Sequence, residues 1–504
     1  MSSGRPAKRR RREVGIGAPS EADSPVNQIN APSSTAYATR RIVVGVLPLT
    51  SMCLSVFVRN FAQFLSDPNI WEGRTKHQVQ ALPDSTIPRL LRELASTCPS
   101  LLASELVRDS FLRGPAIILS SDFGGTLNKS VVAAIPSLGH SVHSLSLTYF
   151  EKIEDVGFAK VVSALPALQS LNLRGCIRVG QKTVEAVARQ CPSLTSINLS
   201  YTSVLPLTLL PLLRARRETL KVMKTAIPTW TDASFAKLLD GLRGGGLTFL
   251  ALETVKLRQT ALSDVSLNGF LAFCPNVRRL DISFTRVRRL SDEVIEQFDK
   301  LEKLTLTSTN VASQHLCYVL LHAPRLSTLN IGALGGQGQG QQKALIIGST
   351  ALTLTDDALS DISDTLADRP HLTSVNLVGN SKLGQRRGPI TKFIQNIGRG
   401  LRNLNLTGLS LLRSGDLSPL LSEDPSVAPP ALQVLSLNRT GVNDEAAQYI
   451  ASCESLQVLE VSTTRFSEEG LFSIIDNCPL LSKIDLTSCR SIGVAARRQF
   501  FEVH

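Results

Sequence analysis

The side chains able to bind a metal or act as a nucleophile here are nine cysteines and seven histidines in a chain of 504 residues. A zinc site needs pairs of ligands at short fixed intervals, and a disulfide framework needs cysteines in even number. No CxxC pair occurs, and the number is odd. Instead Cys98, Cys191, Cys274 and Cys478 each precede a proline, while Cys176 and Cys489 each stand three residues after a leucine that closes an apolar pair. Recurrence at fixed places in a repeating pattern suits packing, where a thiol acts as a small apolar group or bonds weakly to a turn. The histidines are scattered and form neither a helical metal pair nor part of a nucleophile motif. The sequence therefore reads as a non-enzymatic interaction protein, with no metal and no cofactor.

The element that repeats is clearest between Leu165 and Leu199. Leu168, Leu171 and Leu173 are apolar at the first, fourth and sixth positions, and Leu194, Ile197 and Leu199 restate that spacing. Between the two copies Val184, Val187 and Ala188 keep helical spacing, so each copy reads as a short strand, a turn, a helix and a return through Cys191-Pro192. This is a leucine-rich repeat. Copies run from Val142 almost to the C-terminus, with strand cores Leu145-Leu147, Leu171-Leu173, Ile197-Leu199, Leu250-Leu252, Leu280-Ile282 and Leu304-Leu306 in the first half. Leu329-Ile331, Val375-Leu377, Leu404-Leu406, Leu435-Leu437, Leu459-Val461 and Ile484-Leu486 continue the series, and Leu220-Met223 is a degenerate copy. One strand and one helix cannot bury their apolar faces alone, so the copies must stack. The predicted fold is an α/β solenoid, a horseshoe like that of ribonuclease inhibitor. It has a parallel inner sheet, helices outside and a small helical block in front. About a dozen strands near 4.8 Å apart give an inner face roughly 60 Å long, a surface suited to a protein.

A repeat array grows without separate cores, so one solenoid accounts for most of the length. No apolar run approaches the roughly 20 residues of a membrane span, and the basic, polar start has no apolar signal region, so the chain is expected to be soluble, intracellular and free of membrane. The expected organisation is a disordered tail over 1–40, a helical cap or adaptor block over 41–121, and repeats over 122–504 with loop insertions near 332–350 and 411–430. The tail, taken as far as Arg41, carries a net charge of +5 of the chain's +12. Its run Lys8, Arg9, Arg10, Arg11 and Arg12 is of the kind read by nuclear import receptors, which places the protein in the nucleus; a solvated charge run or a nucleic-acid tether is the other reading.

In the block, Leu49, Met52, Cys53, Val56 and Phe57 fall at i, i+3, i+4, i+7 and i+8 behind Pro48, which makes one apolar face of a helix. Such a face needs a partner. It can pack on Leu90, Leu91 and Leu94 as the cap of the solenoid, or it can serve another protein. Pro48-Leu49, Cys53 and Phe57 are similar to the elongin C binding box, in which a leucine and a cysteine four residues on insert into the adaptor; at Phe57 that box has a smaller aliphatic residue. Leu82-Pro83 with Ile87-Pro88 resembles a cullin-selecting box. Leu47-Pro48 with Val56-Phe57, and Ser66 to Trp71, resemble the opening and the ending of an F-box. The cysteine-type repeats resemble F-box receptors, and a box ahead of such repeats resembles the ZYG-type cullin receptors and the fungal nucleotide-excision-repair subunit, whose paired zinc cysteines are absent here. The resemblance implies the substrate-recognition subunit of a nuclear cullin-RING ubiquitin ligase, bound to elongin C or Skp1 and a cullin, with a protein target on the repeats. The alternative is a nuclear scaffold without ligase contact, a chromatin or repair subunit, and the third is direct nucleic-acid binding.

Side chains between the inward leucines point to the inner face. That column reads Ser146, Asn172, Asn198, Lys224, Ala251, Asp281, Thr305, Asn330, Asn376, Asn405, Ser436, Glu460 and Asp485. Asn172, Asn198, Asp281, Asn330, Asn376 and Asn405 are the expected target contacts. Phosphate recognition would favour a run of Lys and Arg, so this column speaks against a DNA groove. Two basic clusters, Arg214 to Lys224 and Arg278 to Arg289, lie near the middle of the array and suit an acidic protein, a nucleic acid or plain solvent. Gly241 to Gly246 is expected to be a turn, and Leu411 to Pro430, with four prolines, an extended loop rather than helix. The run Gly332 to Gln342 lacks the strand and helix that a phosphate loop requires.

Overall fold

The structure is a computed structural model that describes residues 37–39, 48–121, 123, 129–333, 353–422, 424, 426–493 and 495–497. The basic run Lys8 to Arg12 and most of the insertion after Gly332 lie outside the described residues.

Each apolar triplet becomes a short strand, and the strands join one sheet. In chain order these are β1 (Tyr37–Thr39), β2 (Ala116–Ser120), β3 (Ser144–Thr148), β4 (Ser170–Asn172), β5 (Ser196–Asn198), β6 (Val222–Lys224), β7 (Thr254–Lys256) and β8 (Arg279–Asp281). They continue with β9 (Lys303–Thr305), β10 (Thr328–Asn330), β11 (Ser374–Asn376), β12 (Asn403–Asn405), β13 (Val434–Ser436), β14 (Val458–Glu460) and β15 (Lys483–Asp485). From β2 to β15 every strand is parallel to its sequence neighbour, and β1 closes the far edge antiparallel to β15. Equivalent residues stand in register, as in Leu145 beside Leu171 and Leu171 beside Ile197, so the leucines form continuous buried ladders. The helices between strands cover that side of the sheet, and a single apolar core runs from Leu54 to Ala496. This is the α/β repeat horseshoe that the spacing predicts.

Five expectations change. The seventh strand is Thr254–Lys256 rather than Leu250-Leu252. Both registers match the template, but Leu252, Val255 and Leu257 are the buried set, while Leu250 is exposed. Phe249 decides between them, because its ring packs on Phe270 and Phe273 and its N–H donates to the Phe273 carbonyl at 2.8 Å. The residue on the open face is therefore Lys256 and not Ala251. Within the proline-rich stretch Leu411 to Pro430, Ser414–Leu420 forms a 3-10 helix with Pro419 inside it, opened by the Arg413 N–H donating to Asp416 at 2.9 Å. The turn around Pro419 is closed by the Leu421 N–H donating to the Ser418 carbonyl at 3.1 Å, so it does not call on the N–H that proline lacks. The helix Asp232–Arg243 runs through Gly241, whose missing Cβ leaves room for Leu210 2.5 Å away; the turn is confined to Gly244 to Gly246. Tyr37–Thr39, placed by composition in the disordered tail, is strand. The sheet also starts earlier than the leucine pattern, at Ala116, because Ile117 and Leu119 are buried in place of leucines.

The cysteines take the packing role. Cys176 donates to the Leu147 carbonyl at 3.3 Å and Cys489 to that of Val461 at 3.1 Å, each stitching one repeat to the one before. Cys478 bonds the carbonyls of Ile450 and Cys453. Burial pushes the Cys176 thiol up to about 12 and the Cys191 thiol up to about 11, so neither is a nucleophile at neutral pH.

Candidate functional site

The first helix, α1 (Leu49–Ser66), has two apolar faces. Leu54, Val58 and Phe61 turn inward, where the Phe61 ring meets the Trp71 indole edge-on at 5.8 Å and the helix packs beside Ile87–Thr97, which buries Leu90, Leu91 and Leu94. At 100° per residue, Leu49, Met52, Cys53 and Val56 lie on the opposite side. All four are exposed, Leu49 by 71% and Val56 by 58%. The face that packs on the block is therefore Leu54, Val58 and Phe61 and not the Leu49 face expected to pack on Leu90, Leu91 and Leu94, which is turned to solvent. Phe57 stands between them, half-buried, with its ring 5.6 Å from Phe61 and 5.5 Å from Phe64. Its size is explained by this inward packing. Downstream, Ile87 is buried and Leu82 half-buried, so those residues belong to the block's own core.

The second surface is the open face of the sheet. Asn172, Asn198, Asp281, Asn330, Asn376 and Asn405 lie on it in one column, as the strand alternation predicts. Their polar atoms already have work inside the fold. Asn172, Asn198, Asp281, Asn376 and Asn405 each accept the N–H of the residue two positions on, at 2.9 to 3.2 Å, which turns the chain out of the strand. Asn330 donates to Thr305 at 3.3 Å. Asn198 and Asp281 are nearly buried, so only part of this column is available to a partner.

Flanking columns supply what the asparagines lack. Arg174, Arg258 and Arg279 line the face from β4 to β8, and Lys224 and Lys256 stand in the central column between them. The turn after most strands holds a left-handed residue. Gly175, Gly379 and Gly408 fill it in three repeats; at Gly175 a Cβ would fall 2.3 Å from the Tyr149 ring. Tyr201 and Phe284 hold the same position at φ 59° and 57°. The Arg174 guanidinium lies 5.4 Å from the Tyr201 ring centre and that of Arg258 lies 5.9 Å from Phe284, while the Tyr201 hydroxyl donates to Gln259. A charge gradient results, because the far end of the face carries Glu460 and Asp485. Burial and the nearby Asp485 charge outweigh hydrogen bonds from Ser436 and Asn438 and push the Glu460 carboxyl up. Arg174 and Arg258 were not singled out from the sequence, since they sit one step outside the asparagine column.

Among the described residues no His, Cys, Asp or Glu side chains gather into a metal-binding group, and no helix is long and apolar enough to cross a membrane.

The sequence matches no protein-family model and no curated protein. Among solved structures it is similar to one of a Rad7 and Elc1 complex in yeast, at 18% identity and a TM-score of 0.46 over 83% of this chain and 94% of that one. An internalin from Listeria monocytogenes is similar at 13% identity and a TM-score of 0.40 over 82% and 97%. A leucine-rich repeat protein of Leptospira interrogans is similar at 15% and 0.39 over 79% and 98%. At these identities the likeness is one of fold.

Proposed function

We propose that the protein is the substrate-recognition subunit of a nuclear cullin-RING ubiquitin ligase, with the outer face of α1 seated in an elongin-C-type adaptor and the open sheet face holding the target. The observation that carries this reading is the stripe Leu49, Met52, Cys53 and Val56, turned to solvent on a helix whose other face is already buried. Exposed apolar stripes of this kind mark a place for a partner, and full burial of a Leu, Met or Val side chain favours association by about 1.5 to 3 kcal/mol each. Spacing agrees with the adaptor box the sequence resembles, in which Leu49 and Cys53 insert. Nuclear placement rests on Lys8 to Arg12.

Affinity purification from nuclear extract, scored for elongin C, Skp1 and cullins, tests the reading. Recovery of an adaptor with a cullin is the expected outcome, and its loss from a Leu49→Ala, Cys53→Ala variant ties it to α1. If the parent recovers no adaptor where known receptors do, the protein is a scaffold without ligase contact. Replacement of Arg9 to Arg12 by alanine is expected to move the protein to the cytoplasm; an unchanged nuclear signal would refute the import role.

A further inference from the structure

We infer that the open sheet face between β4 and β8 binds an acidic, extended segment of a partner protein. This deepens the reading of that face as the target surface and is independent of the adaptor helix.

The argument begins with charge. Arg174, Lys224, Lys256, Arg258 and Arg279 fall on four repeats of one face, whereas the equivalent positions from β11 to β13 are neutral and those of β14 and β15 hold Glu460 and Asp485 beside the single cation Lys483. A polyanion approaching the horseshoe is therefore drawn to one half of it. Geometry says which kind. A single-stranded nucleic acid would stack its bases on free aromatic faces, but the Tyr201 and Phe284 rings are each overlaid by a guanidinium of the same surface. Laid on a ring, an arginine loses freedom before the ligand arrives and presents its planar fork to a carboxylate. The Nε of Arg174 is buried without a hydrogen-bond partner among the described residues.

Acidic groups within the patch also select against a continuous row of phosphates. Asp281 lies in its central column, and Glu302 stands beside Arg278 at 2.7 Å and Arg279 at 3.9 Å in a polar recess lined by Glu253 and Thr254. Separate carboxylates on a peptide avoid those charges. Arg174 and Arg258 belong to repeats three strands apart, about 14 Å, which corresponds to roughly four residues of extended chain.

The test is fluorescence anisotropy of the full chain against a labelled Glu/Ser peptide and an oligo-thymidine of equal charge, with Arg9 to Arg12 replaced by alanine in every arm so that the tail does not contribute. Tighter binding of the peptide is expected. Arg174→Gln with Arg258→Gln should weaken it by about tenfold or more, and so should the exposed Arg279→Glu, which disturbs no core contact. The Leu49→Ala, Cys53→Ala variant should bind the peptide as the parent does, whatever becomes of the adaptor. Equal peptide binding by parent and both face variants would overturn the inference, as would preferential binding of the oligonucleotide.

Discussion

At the scale of single residues the cysteines separate structure from function. Cys176, Cys191, Cys274, Cys453, Cys478 and Cys489 are buried, whereas Cys53 is exposed on the apolar stripe of α1. Alkylation of the native protein, followed by mass spectrometry, should label Cys53 first and leave those six untouched until the chain unfolds. Early labelling of Cys191 or Cys478 would contradict the packing role given to them. Glu460 makes a second prediction. Its carboxyl is pushed up by burial and by Asp485, so folding opposes its ionisation, and that cost is present once pH exceeds the folded value. Glu460→Gln should raise the melting temperature at pH 7, and the gain should fade as pH falls through the ordinary carboxylate range. A gain independent of pH would contradict this cause.

At the scale of elements, the leucine spacing makes the strands legible because one buried ladder admits one register, as Leu145, Leu171 and Ile197 show. It fails where two registers fit. Leu250 and Leu252 satisfy the template as well as Val255 and Leu257 do, and only the distant Phe270 and Phe273 rings decide. The stripe on α1 was equally legible, but which side of the helix faces the core was not, since Leu54, Val58 and Phe61 form a second apolar face at the same period. A further device was missed altogether. Asp155, at the start of one repeat's helix, accepts the N–H groups of Gly180, Lys182 and Thr183 and so caps the next helix, Gln181–Gln190. Asp264 and Asp356 instead accept N–H groups of the loop that leads into the next helix, and Asp444 accepts that of Ser467, the residue before the helix Glu468–Asn477. Burial tends to raise the Asp155 carboxyl, but the Thr183 hydroxyl and these N–H groups outweigh it and hold it below its ordinary range. Its stabilising contribution is therefore complete above that range and lost as pH falls through the folded value. Asp155→Ala should cost about 0.5 to 2 kcal/mol at pH 7 by denaturant unfolding, and the difference should shrink in acid. On α1 the two faces predict opposite costs: Phe61→Ala should destabilise by about 3 to 5 kcal/mol, while Leu49→Ala should change stability by no more than about 0.5 kcal/mol. A large cost at Leu49 would mean that the stripe is packed within the fold.

On the scale of the whole molecule, β1 links the two ends of the array. It pairs with β15 at the last edge, yet only ten residue steps separate Thr39 from Leu49, which opens the cap at the first end. An extended chain of that length spans at most about 36 Å, which bounds the distance from Thr39 to Leu49. Pairing with β1 also shields an edge that would otherwise be open to association. Deletion of residues 1–40 should speed hydrogen exchange at the amides of β15 and leave the inner strands unchanged; equal exchange with and without the tail would show that β1 contributes no protection. The exposed stripe of α1, the basic part of the sheet face and the end that carries Glu460 and Asp485 then form three separate surfaces on one continuous core. The central claim concerns the first of them, and the rate of Cys53 alkylation in the full chain, measured without and with excess purified elongin C, tests it most directly. The account predicts that the adaptor slows labelling of Cys53 by about tenfold or more, an occupancy effect that the Leu49→Ala variant should weaken. An unchanged rate at saturating adaptor would contradict it.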